Sequence, residues 1–129
     1  MKHHVFSRSS EKNLEGVHPD LIKLMHFALE LSPYDFGITE GIRKADRQKQ
    51  LVEEGKSWTM DSKHLYQADG FGHAVDFAVY VNGRLTWDVA YYRPVVQAIF
   101  KAAIHLGIQI ECGALWRTVV DGPHVELAQ

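Results

Sequence analysis

Gly72-His73-Ala74-Val75-Asp76-Phe77-Ala78-Val79-Tyr80-Val81-Asn82-Gly83 is the stretch that decides the fold. From Ala74 to Val81, one strand face carries Ala74, Asp76, Ala78 and Tyr80, and the other carries Val75, Phe77, Val79 and Val81. The second set is a plain core face, rich in β-branched residues. Asn82-Gly83 is a strong two-residue hairpin signal, so Arg84 to Thr86 is expected as a short return strand. The first face is different. It sets a carboxylate between two alanines, where small neighbours leave space for a metal and a substrate.

Upstream, Leu21, Leu24, Met25, Ala28 and Leu31 recur at helical spacing, with Pro19 suited to the first turn and Ser32-Pro33 to the stop. Phe36 to Thr39 is a short β-prone stretch ended by Gly41, and Ala45 to Glu54 reads as a mostly polar helix stopped by Gly55. On that helix Gln48 shares a face with Leu51 and Val52, which turns it inward. Downstream, Tyr92, Val95, Val96, Ile99, Ala103 and Leu106 form the buried stripe of a long helix, roughly Pro94 to Leu106 with a further turn before Pro94. Ile108 to Glu111 and His124 to Leu127 read as two more strands. Helices and hairpin-linked strands in this order predict an α+β fold with a mainly antiparallel sheet flanked by helices.

The 129 residues fit a single domain, 1–129, and show no repeat or interdomain linker. An apolar share of 46% suits a soluble globular chain. A net charge of −2 without a basic stripe argues against nucleic acid as a partner. No apolar run is long enough to span a bilayer, and residues 1–10 lack the apolar core of a secretory signal. Synthesis in the cytoplasm, without stable membrane insertion, is therefore expected. Cys112, the sole cysteine, cannot form an internal disulfide and suits a small buried apolar role.

Three segments carry the chemistry: Ser62-Lys63-His64, Gly72-His73-Ala74-Val75-Asp76 and Asp121-Gly122-Pro123-His124. His64, Asp76 and His124 together make a three-ligand site for one Zn²⁺, leaving a fourth position for water. His73 is a rival ligand, but it lies three residues before Asp76, and a regular strand points it to the opposite face. Gly122-Pro123 can turn the Asp121 carboxylate toward the metal, where it could move a proton from water to a leaving amine. Asp121 could instead bond its own turn. Glu126, on the same strand face as His124, is a fallback for that role or an outer partner of a ligating histidine.

The same segments resemble a known family. Ser62-Lys63-His64 followed by Gly72 to Asp76 is similar to the Ser-x-His…Gly-x-Ala-x-Asp signature of the zinc D-Ala-D-Ala carboxypeptidase/L-alanyl-D-glutamate peptidases. Asp121 to Leu127 resembles their closing motif. Glu40-Gly41-Ile42-Arg43 with Gln48, Leu51, Gly55 and Ser57 resembles their Gly-x-Arg…Gln…Leu…Gly-x-Ser pattern. The resemblance runs from about Ser10 to Leu127 and is strongest to phage endolysins that cut between L-alanine and D-glutamate of peptidoglycan stems.

The resemblance implies a small α+β domain, shared with the hedgehog signalling domain, in which His64, Asp76 and His124 bind Zn²⁺. It also implies Asp121 as general base and acid, and Arg43 facing a substrate carboxylate or the developing oxyanion. Gln48 and Ser62 would order the pocket, and Trp116 would line the substrate groove unless it is a core residue. A monomer acting on peptidoglycan stem peptides, without a separate wall-binding domain and released through a membrane pore, is the expectation. Two features depart from the pattern. Leu65 to Phe71 add five residues to the usual His-to-Gly interval, with Asp69-Gly70 reading as a turn, and Trp116 to Asp121 is short, which suggests a more open groove. The rivals are D-Ala-D-Ala cleavage on the same substrate, a non-catalytic zinc-binding hedgehog-like module, and a structural phage protein whose histidines are incidental.

Overall fold

A computed structural model describes residues 4–42, 50, 52–54, 63–112 and 123–128. Among them a five-stranded sheet is built around β2 (Ala74–Val81), with the boundaries the alternation predicts. On one side β2 pairs with β1 (Asp35–Glu40). On the other it pairs with β5 (His124–Leu127) at its start and with β3 (Arg84–Thr86) at its end. β4 (Ile110–Cys112) lies beyond β5, and every pairing between these strands is antiparallel. The hairpin turn holds Asn82 at φ 53° and Gly83 at φ 78°, the left-handed pair that a two-residue turn requires.

Among the described residues the sheet is accompanied by helices α1 (Arg8–Leu14), α2 (Pro19–Leu31) and α3 (Val89–Leu106). Leu21, Leu24, Met25 and Ala28 of α2 and Val95, Val96 and Ile99 of α3 pack with Val75, Phe77 and Val79 in one apolar core. Phe36, Ile38, Val125 and Leu127 join it from the neighbouring strands. The opposite face of β2 is thereby left to carry chemistry.

α3 begins before Pro94, because Asp88 caps it by accepting from the Ala90 N–H at 3.0 Å. Pro94 forgoes one helical hydrogen bond, yet the buried stripe from Tyr92 to Ala103 keeps the helix continuous. Tyr92 is fully buried; its hydroxyl donates to the Thr86 carbonyl at 2.7 Å and accepts from Val79 N–H at 3.1 Å, tying α3 to the hairpin.

α1 has no counterpart in the apolar pattern, since only Leu14 and Ser10 of it are buried. It is held by polar contacts instead. Ser10 Oγ accepts from Ile38 N–H at 3.0 Å, and Asn13 Nδ2 donates to the Ile38 carbonyl at 2.7 Å. The helix thus satisfies backbone groups on the outer edge of β1, which would otherwise invite another strand. Of the helix expected over Ala45 to Glu54, residues 50, 52 and 53 are helical and the remainder lies largely outside the described residues. No helix among the described residues is long and apolar enough to cross a membrane.

Candidate metal centre and active site

The β2–β5 register sets Asp76 directly opposite His124, so two of the expected ligands are cross-strand neighbours on the face away from the core. His64 arrives from the turn that precedes the inserted loop, a turn fixed by the His73 N–H donating to the Lys63 carbonyl at 2.8 Å. The three side chains meet. His64 Nε2 lies 3.2 Å and His124 Nδ1 3.1 Å from the same oxygen, Asp76 Oδ1. The two imidazoles stand nearly edge to face with centroids 5.0 Å apart, and all three donor atoms fall within 4.8 Å of one another. His64 and Asp76 are buried.

The far side of each ring decides what the near side can do. His64 Nδ1 lies 2.8 Å from the Gly41 carbonyl, which can only accept, so the ring's proton belongs on Nδ1. His124 Nε2 lies 2.8 Å from Glu126 Oε1, which places that ring's proton on Nε2. With one proton each, both rings therefore aim lone pairs at a carboxylate. Three electron-pair donors in so small a space fit one divalent cation of the zinc type, with carbonyl and carboxylate partners orienting the histidines from behind. A proton relieves the same repulsion, and the surroundings of His124 and Asp76 favour holding one there. Burial alone would lower His124, but the hydrogen bond and charge of Asp76, aided by Glu126, raise it above the usual histidine value. Burial would likewise raise Asp76, yet His124 and His64 hold it below the usual carboxylate range.

Lys63 completes the outer layer. Its Nζ lies 2.9 Å from Glu126 Oε2 and donates to the Leu127 carbonyl at 2.7 Å. Burial opposes ionisation of Glu126, but the bonds from Lys63 and His124 keep its value low. A carboxylate so committed is a poor proton shuttle, and its contact with His124 is what the outer-partner alternative for Glu126 requires. Gly41 is also a requirement of space: a Cβ there would run into the Asn13 backbone carbonyl. The roles of Lys63 and of the Gly41 carbonyl had no signal in the sequence beyond their adjacency to His64 and to the Gly-x-Arg motif.

The family model for phage L-alanyl-D-glutamate peptidase matches residues 1–128. The chain belongs to this family. It is 40% identical to the L-alanyl-D-glutamate peptidase of Escherichia phage T5, over 95% of this chain and 96% of that protein. It also superposes on the crystal structure of the Serratia marcescens L-Ala D-Glu endopeptidase ChiX with a TM-score of 0.84 and 39% identity, covering 97% of this chain and 91% of that one. The α+β fold expected for these peptidases is thereby confirmed.

Of the residues expected to serve this phage-peptidase chain, His64, Asp76 and His124 are brought together. His73 is not among them; it turns to the other side, where its Nε2 meets Asp69 Oδ2 at 2.7 Å. Arg43, Gln48, Ser62, Trp116 and Asp121 lie outside the described residues. Cys112 is half-buried against the core, and burial pushes its thiol up to about 12, so it stays protonated and inert.

Two outcomes follow from the groups behind the rings and from the charge around His124. Glu126→Gln should weaken zinc affinity by about 10- to 100-fold, because a neutral amide holds the His124 N–H less firmly. Competition against a chelator of known affinity reads this directly, and an unchanged affinity would show that Glu126 only packs. As a zinc ligand His124 would have to shed its proton, and its value is raised above the ordinary histidine value by Asp76 and Glu126. Zinc affinity should therefore already be falling as pH drops toward that raised value, at higher pH than an ordinary histidine would dictate. Chelator competition across the neutral range tests it.

Proposed function

We propose that this chain is a zinc-dependent endopeptidase that hydrolyses the L-alanyl-D-glutamate bond of peptidoglycan stem peptides, working as a phage or prophage endolysin. The observation that carries the reading is the convergence of His64 Nε2 and His124 Nδ1 on Asp76 Oδ1, in a chain of the phage L-alanyl-D-glutamate peptidase family. When bound, zinc supplies a Lewis acid for the scissile carbonyl and acidifies water near neutral pH.

The protein's own groups do the rest. His64, Asp76 and His124 hold the ion, while the Gly41 carbonyl and Glu126 keep the two rings aimed at it. Asp121 takes the proton of the attacking water and delivers it to the amine of D-glutamate as the C–N bond breaks. The L-alanine carbonyl carbon leaves as a carboxylate. Arg43 offers a fixed bidentate cation to the D-glutamate carboxylate or to the developing oxyanion. Gln48 and Ser62 order the pocket, and Trp116 lines the groove. The three metal-holding side chains come from one chain, which supports action as a monomer. As an endolysin it would meet the wall only after leaving the cytoplasm through a pore made by another protein.

Purified sacculi digested with the zinc-loaded protein should release peptides bearing a new free amine on D-glutamate, found by amine labelling and mass spectrometry. Chelation should stop the release and zinc should restore it. Liberation of free D-alanine without new D-glutamate amines would instead assign the D-Ala-D-Ala bond. Zinc binding with no bond cleaved would leave a non-catalytic module.

A further inference from the structure

Among the described residues a second cluster repeats the donor set of the first: His18, Asp69 and His73, whose ligand atoms also lie within 4.8 Å of one another. Two imidazole nitrogens again converge on one carboxylate oxygen. His73 Nε2 stands 2.7 Å and His18 Nε2 3.8 Å from Asp69 Oδ2, with the rings perpendicular and 5.3 Å apart. The second carboxylate oxygen is occupied elsewhere, since Asp69 Oδ1 accepts from the Phe71 N–H at 3.0 Å, which fixes how Oδ2 points. The three residues come from the helix α2 cap, the inserted loop and the approach to β2. Backbone bonds lock these segments together: His18 N–H to the Gly72 carbonyl at 2.8 Å and Gly72 N–H to the Gly16 carbonyl at 3.0 Å. His73 and His18 are partly buried while Asp69 is exposed, so the donors are held and solvent can reach them.

We propose that His18, Asp69 and His73 form a second binding site for Zn²⁺, separate from the catalytic one, that pins the inserted loop to the start of α2. Two imidazoles with one carboxylate suit zinc and its neighbours in the transition series, and lack the oxygen ligands that calcium needs. Two rearrangements accompany uptake: His73 Nε2 gives up the proton it donates to Asp69 Oδ2 at 2.7 Å, and His18 shifts its own. His18 Nδ1 now accepts from the Asp20 N–H at 3.0 Å, which puts the ring proton on Nε2. Binding through Nε2 moves that proton to Nδ1, where Asp20 Oδ2, 3.9 Å away, can accept it. The helix exchanges a cap for a carboxylate–histidine–metal arrangement. The loop so pinned runs directly from His64, so the second ion steadies the chain between two catalytic ligands.

Equilibrium dialysis of the purified chain against Zn²⁺, with bound metal measured by mass spectrometry, should give two equivalents for the native protein. Asp69→Asn and His73→Gln should each bind one, still digest sacculi, and lose the rise in Tm that the second equivalent gives the native protein. His64→Ala should also bind one, held by the second site. If Asp69→Asn, a change at an exposed position that leaves the core untouched, still binds two equivalents, the site is wrong. Uptake of a single equivalent by the native protein, even in about a hundredfold excess of zinc, also overturns it when that equivalent is lost in His64→Ala and kept in Asp69→Asn. A His64→Ala protein that keeps two equivalents, with Asp69→Asn keeping one, would uphold this site and remove the catalytic assignment instead.

Discussion

Asp76→Ala should abolish both zinc retention at the proposed catalytic site and wall lysis, the latter by on the order of 10³-fold or more, equivalent to roughly 4 kcal/mol of lost transition-state stabilisation. Asp76 Oδ1 is the shared partner of His64 and His124, at 3.2 and 3.1 Å, so its removal leaves two lone-pair donors without the anion between them. Asp76→Asn keeps the volume and removes the charge. It should fail almost as badly, because a neutral amide oxygen neither offsets a dication nor stands up to competition from a proton at His124. Metal content and turbidity loss of outer-membrane-permeabilised cells, measured on the same preparations, check both variants. An alanine variant that keeps its catalytic zinc and its lysis would remove Asp76 from the ligand set. Circular dichroism guards against simple unfolding, since Asp76 faces away from the core that Val75 and Phe77 build.

Asp121→Asn should separate chemistry from binding. Zinc content stays at the native level while kcat falls by about 10²- to 10⁴-fold, the usual contribution of a positioned proton shuttle. The limb of the pH–rate profile that reports the base should vanish with it. Glu126, the alternative acid, is already tied to Lys63 at 2.9 Å and to His124 at 2.8 Å, which leaves it poorly suited to the same work. If Asp121→Asn lyses walls at the native rate, the shuttle must be sought elsewhere. Glu126→Gln offers the contrast. Its loss should be recovered by raising zinc, whereas that of Asp121→Asn should not.

The paired variants also discriminate the rival readings. A zinc-binding module without catalysis predicts that Asp121→Asn changes nothing measurable, because no proton has to move. A D-Ala-D-Ala hydrolase predicts the same sensitivities to Asp76 and Asp121 but a different product. Only product chemistry separates the two peptidase readings, since both use one metal and one carboxylate.

The amino-acid sequence by itself determined the strand Ala74–Val81, its turn at Asn82-Gly83 and helix α2, and it singled out His64, Asp76 and His124, the three side chains that the fold brings together. These are local properties: alternation, helical spacing and turn chemistry reside in neighbouring residues, and a strand's period tells which side chains share a face. Helix α1 escaped because it buries too little apolar surface to leave a stripe and is held by Ser10 and Asn13 on the edge of β1. The protonation pattern of the site also needed the tertiary structure. Which nitrogen of each histidine faces Asp76 depends on the Gly41 carbonyl and on Glu126, groups that only a folded sheet brings to the far side of the rings. His73 shows the division most sharply. Its position three residues before Asp76 argued against its sharing a metal with Asp76, but its actual partners, His18 and Asp69, come from a helix cap and a loop. No local period encodes contacts between distant segments, because they exist only once burial of the common core has fixed where each segment lies.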